Sequence, residues 1–547
     1  MPYFEEKVHR SLKTISFYNE ERPLVERALK EMAVNGINLV QLPTGYGKTA
    51  LAVSAGLKAV ADPTEFVRVI HVLPLRSIID DAYNILLRTA DRLGLRWMHE
   101  IAAAQMMSVP GAPFFNKRLV FTTIDTFMLH LIKMPPFEIK GLVCPLLFDN
   151  GSWRTYGHYE VSRGAIMESM VFIDEPQLLM EQISERTLST LVYSLAGFGV
   201  PTILMTATVP DRLRWMIKDA AELYRRPYYE MIYGENAVDE NFELEVSKKR
   251  IDTRKFEGDL LGAALSELQT GSWDKVLIIA NSVKIAKQAY NVLRDFNPVL
   301  LHGRMTKADR GKAFRMFENK SWIAISTQVI EAGVNLSAQL LVTEAAPAAS
   351  LVQRAGRVAR FKGDNEGKIV ITDYDQDALV YKRWMVDRTL EVVSKALSVN
   401  GIHWKLPKVE GGIGYAQLVE KIHKGDPERP SLKVLNQILN PFTSPQQALD
   451  LIEEDFVRES KLIPVYVADT PEEVSEDNSY PVSLNHLKSL RRYLLPIIEN
   501  EGEIKFGDKL LVENLLEYPN PELYMLCKGI KGVAIPFQVY YYEAYGV

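Results

Sequence analysis

A chain of 547 residues, 47% hydrophobic and 24% charged, is too long for one hydrophobic core and has the make-up of a globular protein of about two to four domains. Its formal net charge of −5 excludes a global basic field, so a nucleic-acid partner would need a local cleft of Lys, Arg and backbone donors. Two cysteines, Cys144 and Cys527, exclude a four-cysteine zinc or iron–sulphur site and argue against a disulfide scaffold.

The first residues, Met1-Pro2-Tyr3-Phe4-Glu5-Glu6-Lys7, are charged and lack the apolar core of a secretory signal, and no apolar run is long enough to span a bilayer. A reduced, cytoplasmic protein without a membrane partner is expected. Arg22 to Met32 predicts a helix, with Pro23 in its first turn and Leu24, Ala28 and Leu29 on one core face. Ile37 to Gln41 reads as a short buried strand and Ala50 to Leu57 as an apolar helix. Between them lies Leu42-Pro43-Thr44-Gly45-Tyr46-Gly47-Lys48-Thr49.

A strand, a glycine-bearing loop ending in Lys-Thr, and a helix form a phosphate-binding loop. Gly45 and Gly47 permit a tight turn whose N–H groups face a polyphosphate at the positive end of the helix. Lys48 can reach the β- and γ-phosphates, and the Thr49 hydroxyl can bind Mg²⁺. Leu42 stands where the strict G-x-x-x-x-G-K-[ST] pattern has its first glycine.

Further strands are predicted at 67–74, 118–123, 169–173 and 202–205. Strand–helix alternation implies a parallel sheet, whose ligands bind at the carboxyl ends of its strands. Polar groups gather there: Asp174-Glu175-Pro176-Gln177 and Thr206-Ala207-Thr208. Asp174 can hold the Mg²⁺ that Thr49 also touches, and Glu175 can orient and deprotonate a water. Residues 135–168 break the alternation and read as an ordered insertion or long loop. Its Trp153, Tyr156 and Tyr159, near Arg154, are better explained as anchors to their own domain than as base-stacking platforms. His9, His99 and His130 read as surface or core residues, not ligands.

After a polar, aromatic connector at about 209–255, the alternation restarts with strands at 275–280, 298–301, 322–326, 339–343 and 368–372. This second unit has no phosphate loop. Its Arg357 and Arg360 are three positions apart, a spacing that puts both on one helical face. Supplied across a cleft, they would stabilise charge on a γ-phosphoryl group. Gly356, just before them, suggests close approach of another surface. Beyond 375, a helix is predicted at 375–398, a stretch rich in Pro, Gly and charge at 405–480, a helical pattern at 483–500, and a β-like run at 526–542.

The phosphate loop, Asp174 to Gln177, Thr206 to Thr208, Thr327 to Asn335 and Gln353 to Arg360 resemble, in order, the motif series of a superfamily 2 helicase of the DExD/H type, over roughly residues 15–375. Thr327 to Val334 and Ala346 to Val358 are similar to the fifth and sixth motifs of the CRISPR type I nuclease–helicase family. The resemblance implies an α/β fold of two tandem RecA-like domains, 1–230 and 231–375, with a C-terminal accessory α+β domain at 376–547. It implies ATP and Mg²⁺ as cofactors and 3′-to-5′ movement on single-stranded DNA in CRISPR antiviral defence.

No His-Asp dipeptide of an HD nuclease occurs, so the family likeness is to a stand-alone helicase subunit. Its implied partners are a separate HD nuclease and an RNA-guided surveillance complex. Carried over, Pro43, Thr44, Gly45, Tyr46, Gly47, Lys48, Thr49, Gly333 and Asn335 would bind nucleotide. Lys48, Asp174, Glu175, Gln353, Arg357 and Arg360 would be catalytic. Gln177, Thr206 and Thr208 would couple hydrolysis to movement, and Pro74, Arg76, Thr123, Thr126, Ser282 and Thr327 would contact DNA.

The chain departs from the family where Gln177 replaces a common His, Asn335 a common Asp, and where Pro176 stands. No adenine-reading Gln lies upstream. Two other readings stay open on the residues alone: an RNA helicase or repair or restriction translocase, and a nucleotide-gated recruitment subunit that does not unwind.

Overall fold

The computed structural model describes residues 22–61, 67–74, 76–92, 94–106, 109–136, 138–148, 160–177, 185–331, 336–376, 380–399, 401–422, 427–440, 447, 450, 462–500 and 502–546. The chain divides into two compact units, residues 1–248 with 402–459 and residues 249–401 with 460–547.

In the first unit the strands are β1 (Ile37–Gln41), β2 (Arg68–Leu73), β3 (Ala102–Met106), β4 (Val109–Pro110), β5 (Leu119–Thr123), β6 (Ser169–Asp174), β7 (Thr202–Thr206) and β8 (Tyr228–Ile232). They form one sheet in the order β4-β3-β5-β2-β6-β7-β1-β8, parallel except for the short β3–β4 pair. Helices cover both faces, so β1, β3, β5, β6 and β7 are buried along their whole length. This parallel pairing lines up the carboxyl ends of β1, β6 and β7, with Gln41 beside Thr206 and Asp174 beside Met205. The three polar segments read from the sequence therefore emerge at one edge.

The second unit carries β9 (Arg250–Lys255), β10 (Lys275–Ile279), β11 (Val299–Leu301), β12 (Trp322–Ser326), β13 (Leu340–Glu344) and β14 (Glu366–Thr372), in the parallel order β11-β12-β10-β13-β14-β9. Two-residue strands β15 (Ile402–His403) and β16 (Ile413–Gly414) pair in the first unit. A third, mixed sheet belongs to the second unit. Its strands β17 (Leu462–Val467), β18 (Ser479–Ser483), β19 (Leu495–Asn500), β20 (Glu503–Phe506) and β21 (Ile530–Ile535) run in the order β18-β17-β21-β19-β20.

The α/β class, the two parallel sheets and the mixed C-terminal sheet follow the sequence reading; several boundaries do not. Strand β8 pairs with β1 and β9 with β14, so the expected connector supplies an edge strand to each sheet and the division falls at 248, not 230. The stretch expected as one accessory domain is divided between the units. Residues 402–440 lie on the first, where the helix Leu432–Leu439 packs against Glu185–Phe198 and Arg163 Nη1 donates to the Ile438 carbonyl at 3.1 Å. Residues 462–546 lie on the second, where Tyr540 donates to Asp309 Oδ2 at 2.7 Å and His302 pairs with the Ala544 carbonyl at 2.7 Å. Short amphipathic helices with no core of their own gain burial only on an existing surface.

Within 135–168, expected as an ordered insertion or long loop, lie the helices Ile139–Phe148 and Glu160–Met167, while Trp153, Arg154, Tyr156 and Tyr159 lie outside the described residues. The β-like run at 526–542 is one strand, β21, between the helices Pro521–Lys528 and Phe537–Tyr545; 483–500 is a short helix followed by β19. No helix among the described residues is long and apolar enough to cross a membrane.

Candidate nucleotide site

The phosphate loop runs from β1 into the helix Lys48–Ala61, with Gly45 at φ 79° and Gly47 at φ 118°. Both lie in the left-handed region that glycine tolerates, which explains the residue type at each. Lys48 Nζ lies 3.2 Å from Glu175 Oε1 and 3.4 Å from the Leu42 carbonyl. Glu175 itself adopts φ 47°, a strained conformation for a residue with a Cβ, fixed by its N–H donating to the Met205 carbonyl at 2.8 Å. Such strain, of order 1–3 kcal/mol, persists where surrounding structure over-determines it and gathers at functional sites.

Around Glu175 a compact polar network closes. The Gln177 amide donates to Glu175 Oε2, and the Thr206 hydroxyl lies 2.6 Å from Gln177 Oε1 and 3.2 Å from Glu175 Oε2. The Ala207 N–H donates to Glu175 Oε2 at 3.3 Å, and the Thr208 N–H donates to Thr206 Oγ1 at 2.9 Å. From β1, Gln41 donates to the Ala207 carbonyl at 3.1 Å. The Gln177 that departs from the family's histidine thus bridges the Asp-Glu and Thr-Ala-Thr segments.

Asp174 is 8% exposed and its Oδ1 has no hydrogen-bond partner among the described residues. Burial pushes its carboxyl well above the ordinary range, Glu175 adds to the shift and Lys48 opposes it. His71 on β2 lies 3.8 Å away, held neutral because full burial lowers it to about 3. The orphaned Asp174 carboxylate oxygen fits one ligand of a divalent cation. No group of three or more His, Cys, Asp or Glu among the described residues could hold one. Mg²⁺ there would rely on Asp174, Thr49 and substrate phosphates, its usual mode.

Within the loop, the Tyr46 side chain is part of the core. It is fully buried, edge-on to Phe242 at 5.1 Å and beneath the Arg22 guanidinium at 5.3 Å. Its hydroxyl donates to Asp239 Oδ2 at 2.6 Å and accepts from the Leu24 N–H at 3.3 Å. An aromatic ring gains more by burial than by facing water, so Tyr46 anchors the loop. Pro43 and Thr44 belong to the loop as expected, the Tyr46 N–H turning back to the Pro43 carbonyl at 3.1 Å.

Among the residues expected to contact DNA, Thr123 and Thr126 are buried and turned to each other. Thr123 Oγ1 accepts from the Thr126 N–H at 3.3 Å and lies 3.0 Å from its hydroxyl, capping the helix Ile124–Leu131. Ser282 caps Val283–Val292 through the Ile285 N–H at 3.2 Å. Pro74 and Thr327 are buried. Arg76 opens the helix Arg76–Arg92 with its side chain outside the described ones, and Gly333 and Asn335 also lie outside the described residues.

In the second unit the helix bearing Gln353 spans Ala348–Ala355 and ends at Gly356. Arg357 and Arg360 lie beyond it, so the expectation of a shared helical face is overturned; Ala359 at φ 45° turns the chain away. Gly356 is the helix cap. Arg357 is buried and donates to the Glu331 carbonyl, while the Arg360 N–H donates to Ser337 Oγ at 2.8 Å. Sequence reasoning missed Arg354, wholly buried, which reaches Glu331 at 2.7 Å, Thr343 at 2.8 Å and Asn281 at 3.0 Å.

Two family models match the chain: DEAD/DEAH box helicase over residues 22–215, and CRISPR-associated nuclease/helicase Cas3, C-terminal, over 272–363. These matches make the chain similar to CRISPR-associated superfamily 2 helicases. The CRISPR-associated helicase Cas3 of Thermoproteus tenax is 23% identical over 379 residues, 66% of this chain and 60% of that protein. The chain thus spans about three fifths of that relative's length.

Among solved structures, T. fusca Cas3–AMPPNP is similar at TM-score 0.58 and 15% identity, covering 96% of this chain and 68% of that one. A structure described as a CRISPR RNA-guided surveillance complex, pre-nicking, is similar at TM-score 0.54 and 14% identity, over 94% and 68%. At such identities these likenesses speak for the fold.

Proposed function

We propose that the chain is an ATP-dependent single-stranded DNA translocase or helicase of CRISPR type I interference. The observation that carries this reading is the Lys48–Glu175 pair joined through Gln177 to Thr206 at one sheet edge. Arriving phosphates would compete for Lys48 and release Glu175 to orient a water. Mg²⁺, held by Asp174 and Thr49, would neutralise charge on the phosphates. A change in the hold on Glu175 reaches Thr206 through Gln177, a physical route from hydrolysis to the strand-gripping surface.

By family likeness, Gln353, Arg357 and Arg360 are assigned to the γ-phosphate, and Ser282 and Thr327 to the DNA backbone. Movement is assigned 3′ to 5′, and the partners to a separate HD nuclease and a surveillance complex like that of the similar structure. The test is ATP turnover with and without single-stranded DNA or RNA. Stimulation by DNA over RNA, with at least about a hundredfold loss in Lys48→Ala and Glu175→Gln, is expected. Turnover at the wild-type rate in both variants, or a strong preference for RNA, would refute it.

A further inference from the structure

Strand β2 pairs with β6 so that His71 lies opposite Phe172, two residues before Asp174. Side chains two apart on a strand share a face, which puts the His71 imidazole and the Asp174 carboxylate on the same side of the sheet. The ring is packed among apolar groups. Its centroid lies 5.6 Å from that of Phe121 and 6.3 Å from that of Phe172, and Val53 and Leu86 line the same small cavity.

Phenylalanine or leucine would suit such surroundings. His71 is instead buried with both ring nitrogens lacking a hydrogen-bond partner among the described residues. A neutral imidazole carries one N–H donor and one acceptor nitrogen, and each lowers stability when buried and unpaired. Packing gives no reason for the nitrogens; Asp174 gives one. His71 Nε2 lies 3.8 Å from Asp174 Oδ2, beyond a hydrogen bond and about 1 Å from making one. The other carboxylate oxygen, Oδ1, has no hydrogen-bond partner among the described residues. Carboxylates that ligate a metal are commonly held by a hydrogen bond from behind, and losing such a partner weakens metal affinity about 10–100-fold.

We propose that His71 is a positioning residue of the ATP site, its Nε2–H donating to Asp174 Oδ2 and leaving Oδ1 to a bound divalent cation. This rests on the reading of the site as an ATPase. Because Phe121 and Phe172 flank the ring, the N–H approaches the carboxylate from a fixed direction and holds it in one orientation. A neutral donor does this without competing for the carboxylate as a cationic side chain would.

The test is equilibrium binding without turnover. A fluorescent, non-hydrolysable ATP analogue is titrated onto the chain in saturating Mg²⁺ and in EDTA, and the ratio of the two Kd values gives the Mg²⁺ contribution. His71→Phe fills the same space without nitrogens. Its Mg²⁺ contribution should fall about tenfold, its Kd in EDTA should stay within about twofold of wild type, and its thermal midpoint should equal or exceed wild type. His71→Gln, which restores an N–H donor, should recover most of the loss. An unchanged Mg²⁺ contribution in His71→Phe overturns the proposal, as does equal weakening with and without Mg²⁺. A lowered midpoint in His71→Phe marks a packing role and overturns it too, as does a His71→Gln chain as weak as His71→Phe. A wild-type chain that binds the analogue no more tightly than Lys48→Ala overturns the ATPase reading itself and this proposal with it.

Discussion

Arg354→Met removes a guanidinium with no exposed surface and keeps most of its aliphatic stem. Arg354 binds Glu331 at 2.7 Å, Thr343 Oγ1 at 2.8 Å, the Glu344 carbonyl at 3.1 Å, Asn281 at 3.0 Å and Tyr381 at 3.2 Å. Its loss strands the Glu331 carboxylate, itself 7% exposed, and breaking a buried pair from one side costs about 3–5 kcal/mol.

Burial already raises the Glu331 carboxyl, with Arg354 pulling against it, so in the variant the carboxyl rises further above its unfolded value. A raised folded-state carboxyl favours folding while protonated. That contribution is present below the unfolded carboxyl range and is lost as pH rises through the folded value. The destabilisation should therefore be smaller at pH 5 than at pH 8, and Glu331→Gln added to Arg354→Met should recover part of it. Amide hydrogen exchange in β10 and β13 reads the second unit separately from the first. A loss below about 1 kcal/mol at pH 8, or an equal loss at both pH values, would refute the reasoning.

Tyr46→Phe keeps the ring contacts but strands Asp239 Oδ2 and the Leu24 N–H, for a loss of about 1–3 kcal/mol. A loosened phosphate loop should also raise KM for ATP severalfold, and an unchanged KM in steady-state kinetics would contradict the anchoring role. Gln177→Ala breaks the link between Glu175 and Thr206; stimulation of ATP turnover by single-stranded DNA should fall more than basal turnover, and equal falls would exclude a relay. Thr123→Val removes a helix cap worth about 1 kcal/mol, measured by denaturant titration, while single-stranded DNA affinity stays within twofold if the hydroxyl is internal.

Local order along the chain was enough to read the phosphate loop, the buried strands and their polar ends. A glycine-bearing turn before Lys-Thr has a backbone requirement that the residues themselves state, and the φ values of Gly45 and Gly47 meet it. An apolar strand ending in Asp-Glu likewise names its own place at a sheet edge, because parallel pairing leaves that end as the one open to ligands.

What depended on distant partners was out of reach. Tyr46 sits inside the loop motif, yet Asp239 and Phe242 decide that its ring is buried. Arg357 and Arg360 have helical spacing, but the helix stops at Ala355. Tyr415 lies in a stretch whose sequence shows only a richness in Pro, Gly and charge, and the folding back of 402–422 onto the first unit puts its hydroxyl beside the Thr44 backbone. Sequence patterns encode what neighbours along the chain impose on one another. Which side chains meet across the fold follows from packing, where burial outweighs local preference.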